Sequence, residues 1–178
     1  MLQKSTTEKT LEVFFNEPTK KHYLKEISQK IKVAHTSIIK ILLNLQKEKI
    51  INRIEKKYGK RNFPFFVANI NNDEFKILKK INNLKSVYYS GIINFLELNF
   101  MPKSIILFGS YSRGEDIEGS DIDLFLETKE EEINLIRFEK ILSRKINIYF
   151  KEDINECSKE LQNNILNGIL LKGELEFK

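Results

Sequence analysis

Three apolar stripes at helical spacing occupy the first fifty residues of the chain. They predict helices over residues 8–16, 22–30 and 34–49. The apolar positions are Leu11, Phe14, Phe15, Leu24, Ile27, Ile31, Ile38, Leu42 and Leu45. Pro18 ends the first helix because proline disfavours helix for the residue before it, and a short break at residues 32–33 separates the second helix from the third.

A hairpin is predicted after the three helices. Two β-type runs, IINRIEKK and FPFFVAN, flank the basic, glycine-containing turn YGKRN. Three helices with a tight turn between the second and third, followed by such a hairpin, resemble the winged helix-turn-helix family over residues 5–70. The resemblance implies that the third helix enters a DNA major groove and that the hairpin, or wing, contacts phosphate.

The distribution of charge favours a polyanionic partner for this part of the chain. Residues 1–70 hold 15 Lys and Arg against 6 Glu and no Asp, whereas residues 71–178 hold 15 against 19 acidic residues. By the resemblance, bases would be read by His35, Thr36, Ser37 and Lys40, and phosphates would be neutralised by Arg53, Lys56, Lys57, Lys60 and Arg61. The alternatives are a basic face that is merely solvated and a winged helix that binds protein.

The second half of the chain alternates helical and β-type patterns. Helices are predicted over residues 74–99, with a break at Ser90-Gly91, and over 129–143 and 153–167. The second of them has a glutamate cluster at its start and Ile133, Ile136 and Leu142 directed inward. Asp73 and Asp153 are the predicted caps of the first and third. Strands are predicted over residues 105–108, 121–126 and 145–150, and the final ILLKGELEF is predicted to form a strand or a hairpin. The predicted fold class is α+β: a winged helix domain, residues 1–70, then a connector helix and a small α/β domain with a mixed sheet, residues 71–178.

The candidate chemistry lies in residues 105–126, IILFGSYSRGEDIEGSDIDLFL. Strand side chains alternate faces, so Asp121 and Asp123 are predicted to point the same way. Two close carboxylates repel each other unless a cation lies between them. The amides and hydroxyl of the Gly109-Ser110 turn suit phosphate, so the pattern favours a divalent metal with a polyphosphate.

The glycine-serine pair, ten further residues and the aspartate pair resemble the GS-x10-DxD signature of minimal nucleotidyltransferases in the DNA polymerase β superfamily. The resemblance covers residues 85–178 and implies transfer of a nucleoside monophosphate from an NTP to a hydroxyl acceptor, with release of pyrophosphate. By the resemblance, the catalytic residues and ligands of Mg²⁺ or Mn²⁺ would be Asp121 and Asp123, and the nucleotide would be bound by Gly109, Ser110 and Arg113.

One position departs from the family pattern. A third carboxylate is expected on the next strand, where this chain has Asn147. An amide can accept a hydrogen bond or ligate weakly, but it cannot take a proton from the acceptor hydroxyl. Asp153 and Glu127 lie too far along an extended chain to replace it, at about 3.3 Å per residue. The acids of the preceding loop, Glu115, Asp116 and Glu118, are predicted to be solvated.

Two functions are consistent with these patterns. The first is a Mg²⁺-dependent nucleotidyltransferase tethered to DNA, with a protein acceptor such as a helical toxin, because small members of the family often act as antitoxins. The alternative is a DNA-binding transcriptional regulator whose degenerate second half senses nucleotide or forms a homodimer. A single cysteine excludes an internal disulfide framework, and no apolar run suits a membrane span or signal peptide, so a cytoplasmic location is predicted.

Overall fold

The computed structural model describes residues 4–58 and 61–175, of which residues 56–58 and 61–62 are described by their backbone alone. It divides into two compact units, Met1–Leu78 and Lys79–Lys178. Among the predicted wing cations, Lys60 lies outside the described residues, as do the side chains of Lys56, Lys57 and Arg61.

The first unit consists of three helices followed by an antiparallel hairpin. Its elements are α1 (Thr6–Asn16), α2 (Leu24–Ile31), α3 (His35–Lys47), β1 (Ile51–Tyr58) and β2 (Arg61–Ala68). Ser5 begins α1 because its hydroxyl accepts from Glu8 N while the Glu8 carboxylate accepts from Ser5 N. The predicted stripe residues Phe14, Ile27 and Ile38 are fully buried in one apolar cluster. The three predicted helices and the hairpin are therefore present.

The first four helices start one or two residues away from the predicted positions, and specific contacts explain two of the differences. Helix α2 begins at Leu24, not at His22, because the His22 backbone exchanges two hydrogen bonds of 2.8 Å with Phe66 and its ring packs against Phe14 at 4.9 Å. The helix predicted from residue 74 is capped by Asn72 rather than Asp73, since the Asn72 Oδ1 accepts from Phe75 N at 2.8 Å. In both cases the helix start is set by a hydrogen bond that the local hydrophobic pattern does not record.

The second unit contains a four-stranded mixed sheet, which confirms the predicted sheet type. Its elements are the part of α4 (Asp73–Ser90) beyond Leu78, α5 (Ile92–Phe100), β3 (Ser104–Phe108), α6 (Gly109–Arg113), β4 (Ile122–Glu127), α7 (Ile136–Leu142), β5 (Ile146–Lys151), α8 (Lys159–Leu166) and β6 (Ile169–Gly173). The strand order is β5-β4-β3-β6, with β4 and β5 parallel and the other pairs antiparallel.

Helices cover both faces of this sheet. On one face, Val87, Leu96 and Phe138 of α4, α5 and α7 pack against the strands. On the other face, Ile154 and Ile165 pack against Phe108 and Phe125. Along β4, Leu124 and Phe125 therefore belong to two different cores, and at the start of the strand Asp123 is the polar residue on the second face.

Three predictions in this unit are wrong. Helix α7 covers only Ile136–Leu142, and the glutamate cluster precedes it. Phe138 of the helix and Leu135 just before it are buried, while Ile136 is 56% exposed. The helix predicted over residues 153–167 is split, because Asp153 caps a 3₁₀ turn and Ser158 caps α8. The polar loop after β3 begins with the short helix α6.

Candidate active site

Asp121 and Asp123 converge on one side chain of the neighbouring strand. Asp123 stands in register with Asn147 of the parallel strand β5. The Asn147 Nδ2 donates to Asp123 Oδ1 at 3.0 Å and to Asp121 Oδ2 at 3.3 Å. The two carboxylates therefore face the same way, as strand alternation predicts, and a neutral amide bridges them.

Gly109 brings the backbone close to these carboxylates. It follows β3, whose last residue, Phe108, pairs with Asp123. Gly109 has φ of +74°, and a Cβ built there would lie 2.5 Å from Asp123 Oδ2. A side chain at this position would meet both backbone strain and a carboxylate oxygen. Glycine is thus required at the point where the turn approaches the aspartate.

The remaining nucleotide-binding candidates lie on α6. Ser110 is half-buried, and its carbonyl accepts from Glu115 N at 3.0 Å, which closes the turn. Ser112 donates from Oγ to the Gly109 carbonyl at 2.8 Å. The Arg113 side chain is 47% exposed, and its Nε donates to Glu115 at 2.8 Å. Arg113 therefore lies on the surface, where its ion pair with Glu115 is open to solvent.

Asp116 is buried, so its predicted solvation is wrong. The residue is 2% exposed, and its carboxylate lies 3.2 Å from Lys79 Nζ and 3.2 Å from Arg144 Nη2. Asn83 Nδ2 donates to Asp116 Oδ1 at 2.7 Å and to the Tyr111 carbonyl at 3.0 Å. The loop turns inward because Lys79 and Arg144 offset the cost of burying the carboxylate.

This buried cluster joins the elements that carry the candidate site. Lys79 also donates to the Asp116 carbonyl, and Arg144 donates to the Ile117 and Ser120 carbonyls just before Asp121. Burial lowers the pKa of Lys79, with Asp116 opposing the effect. Burial, with a smaller contribution from Asp116, raises the pKa of Tyr111. The cluster fixes the loop between the glycine turn and the aspartates.

One signal in the sequence could have revealed this cluster. Phe75, Lys79, Asn83 and Val87 recur every four residues on α4, and all four are buried. A lysine and an asparagine within a buried helical stripe need polar partners, and the acidic loop supplies one. Arg144 and Asp116 stand in no such pattern, so sequence alone gives no sign that they meet.

The chemistry of the donors fits a hard divalent cation. Asp121 and Asp123 offer carboxylate oxygens, the ligands that Mg²⁺ and Mn²⁺ prefer, while Asn147 directs its amide nitrogen at both of them. Within residues 4–58 and 61–175, no group of three or more His, Cys, Asp or Glu side chains is placed to hold a metal. A bound cation would therefore rely on two carboxylates together with phosphate oxygens of a substrate.

The predicted base-reading residues lie together at the exposed start of α3. His35, Thr36, Ser37 and Lys40 are all exposed. Arg53 on β1 is exposed and donates to Glu55 at 2.9 Å. Among the described helices, none is long and apolar enough to cross a membrane.

Comparison with known proteins identifies relatives of the second unit. The family model described as a nucleotidyltransferase domain matches residues 89–171. Two proteins of Methanocaldococcus jannaschii that are provisionally named protein adenylyltransferases, MJ1379 and MJ1215, are 43% identical over 68 residues and 42% identical over 65 residues. The matches cover 34% and 33% of this chain, and 68% and 76% of the two relatives.

Proposed function

The chain belongs to the nucleotidyltransferase domain family, and from that membership we propose that it transfers AMP from ATP to a hydroxyl group on a protein acceptor. Nucleotidyl transfer in general follows from the family, so the chain is a nucleotidyltransferase enzyme. The adenylyl group and the protein acceptor are suggested by the names of the two archaeal relatives. The convergence of Asp121 and Asp123 beside Gly109 is the observation that carries the proposal.

The residues of the site suit an in-line displacement at the α-phosphate. Asp121 and Asp123 would hold Mg²⁺ or Mn²⁺, which when bound acts as a Lewis acid on phosphate oxygens and lowers the pKa of the attacking hydroxyl. Ser110 and the amides of the glycine turn bind the phosphates, and Arg113 exchanges Glu115 for a phosphate oxygen. A bond forms between the acceptor oxygen and the α-phosphorus while the bond to the bridging oxygen breaks, and pyrophosphate leaves.

Asn147 determines where the proton of the acceptor hydroxyl can go. Its amide donates to both aspartates and so keeps them oriented, but it cannot accept the proton of the acceptor hydroxyl. That proton therefore passes to water. We expect the rate of transfer to rise with pH until the acceptor hydroxyl is deprotonated, because no side-chain base at position 147 sets an earlier limit.

Label transfer from nucleotide to protein tests the proposal. The full chain is incubated with α-labelled ATP, CTP, GTP or UTP, Mg²⁺ or Mn²⁺, and cell extract, beside an Asp121→Ala/Asp123→Ala variant. A Glu48→Ala/Glu74→Ala variant, at two exposed residues outside the site, is the control. We expect labelled protein with ATP and its loss in the aspartate variant alone. If no nucleotide and neither metal gives transfer, the alternative of a nucleotide-sensing regulator is favoured.

We further propose that the first unit is a winged helix that binds DNA. The exposure of His35, Thr36, Ser37 and Lys40 at the start of α3, together with the excess of cations in residues 1–70, supports this assignment. Fluorescence anisotropy of the full chain on duplex DNA at low salt tests it. A failure to bind DNA under those conditions would remove the DNA role and leave the transferase proposal intact.

A further inference from the structure

An open groove of about 600 Å³ lies beside β5 in the second unit. Its floor is formed by Ile146, Ile148 and Phe150, which alternate along the strand, and Leu135 and Ile136 add apolar surface. The volume is sufficient for several side chains of a bound molecule. The groove lies on the face of the sheet opposite to Asp123 and Asn147, because successive residues of a strand point to opposite faces.

Strand β5 has an open edge along this groove. Among the described strands of the sheet, β5 pairs only with β4. Ile122 N donates to the Lys145 carbonyl at 2.9 Å, so Lys145 directs its backbone toward β4. Because alternate residues of a strand direct their N–H and C=O groups to opposite sides, those of Ile146, Ile148 and Phe150 face away from β4. Glu139 Oε1 accepts from Ile146 N at 3.1 Å, so pairing positions become available from Ile148 onward. Such an edge can accept a further strand.

The rim of the groove is acidic. Glu130, Glu131 and Glu139 line it, and its described lining residues include no Lys or Arg. Glu130 and Glu131 are exposed at the surface. Carboxylates in this arrangement repel nucleic acid and attract Lys or Arg, while the apolar floor suits aliphatic side chains. The occupant that fits is therefore an extended polypeptide with basic and apolar residues on one side.

We propose that the acceptor protein docks as a strand on the free edge of β5. The proposal rests on the proposed transferase function and specifies how its protein acceptor is held. An added strand would direct alternate side chains into the groove and the others to the face that carries Asp123 and Asn147. Two strand spacings place it about 10 Å from β4, a distance that a long hydroxyl side chain such as tyrosine can bridge toward the aspartates.

Charge reversal on the rim tests the docking surface during catalysis. Glu131→Lys is compared with Glu132→Lys, an exposed neighbour outside the groove lining. We expect Glu131→Lys to slow label transfer about threefold or more when the amount of cell extract limits the rate, with KM for ATP unchanged, while Glu132→Lys stays near wild type. Equal rates in the two variants would overturn the docking surface and leave the transferase function standing.

A peptide titration tests strand addition without any catalysis. The probe is a fluorescent ten-residue peptide. Its odd positions alternate between Val and Lys, and its even positions are all Thr. We expect binding to the full chain, and we expect methylation of the amides on one edge of the peptide to weaken it about tenfold while methylation on the other edge does not. Equal effects of the two methylation patterns, or no binding of the unmethylated peptide, would overturn the proposal. Absence of label transfer with intact peptide binding would instead count against the proposed function.

Discussion

At the scale of single residues, Gly109 is the position of the candidate site where a side chain has no room. We predict that Gly109→Ala destabilises the protein by about 2 kcal/mol, because its positive φ is strained for alanine and the new Cβ meets Asp123 Oδ2. We also expect about a 100-fold loss of transfer, since the displaced carboxylate no longer lies in the productive geometry. Urea denaturation and label transfer measure the two effects.

Gly119 provides the matched control for that substitution. It lies in the same loop region, it does not have a positive φ, and a Cβ there would meet nothing within 4 Å. Gly119→Ala should therefore leave stability and transfer near wild type. Comparable losses in both variants would mean that the loop as a whole, rather than the contact of Gly109 with Asp123, limits the site.

Asn147 is the second residue whose replacement is informative. We predict that Asn147→Asp raises the affinity for Mn²⁺ about tenfold, because it adds a carboxylate within hydrogen-bond distance of Asp121 and Asp123. Without metal the variant should be less stable, since three carboxylates then repel one another. Isothermal titration with Mn²⁺ and thermal unfolding with and without the ion check both results.

The exposed Asn164 on α8 serves as the control for this change of charge. Asn164→Asp should leave the affinity for Mn²⁺ unaltered. If Asn147→Asp behaves in the same way, position 147 does not contribute to cation binding, and the chemistry would rest on Asp121, Asp123 and the substrate phosphates alone.

At the scale of elements, the buried ion cluster joins α4, the loop before β4 and the turn between α7 and β5. We predict that Asp116→Asn costs about 3–5 kcal/mol, because Lys79 and Arg144 then remain buried without a countercharge. Glu115→Gln, beside it but on the surface, should change stability by less than about 1 kcal/mol. Urea unfolding of both variants, monitored by circular dichroism, measures the two free energies of unfolding. Equal unfolding midpoints would contradict a structural role for Asp116.

Helices α7 and α8 begin at residues other than those that the local pattern predicts. Periodicity predicts Ile136 inside, yet Leu135 and Phe138 are buried and the segment of adjacent glutamates before Asn134 stays out of the helix. The pattern predicts Asp153 as the cap of a long helix, but it caps only one turn, and Ser158 begins the next. Local pattern identified where helices occur; competing caps and burial on the sheet determined their limits.

At the scale of the whole molecule, the charge of the two halves predicts different responses to salt. We predict that DNA binding by the full chain weakens when Ala replaces Lys56, Lys57, Lys60 and Arg61. The slope of log K against log salt concentration should become less steep by up to about 0.9 for each phosphate that the wing no longer neutralises. Replacing four exposed lysines of the second unit, Lys80, Lys85, Lys103 and Lys129, removes the same charge and should leave the slope near wild type. Anisotropy titrations from low to moderate salt measure both, and equal slopes would refute the assignment of the wing.

The sequence by itself determined the features that depend on neighbours along the chain. Helical spacing located the three helices of the first unit, and two β-type runs around a glycine-containing turn located its hairpin. Strand alternation predicted that Asp121 and Asp123 point the same way. The strand before the glycine turn, β3, is likewise a continuous apolar run from Ile105 to Phe108. These features follow from short periods that the backbone imposes whatever the rest of the chain does.

Only the tertiary structure decided which distant residues meet. The loop pattern predicts a solvated Asp116, but Lys79 and Arg144, far away in sequence, surround it. The amide of Asn147 bridges both aspartates because β5 runs parallel to β4 in one particular register, and the open edge and acidic groove of β5 exist only once the sheet is assembled. The physical reason is that burial and charge pairing depend on partners from several elements at once, which no local period records.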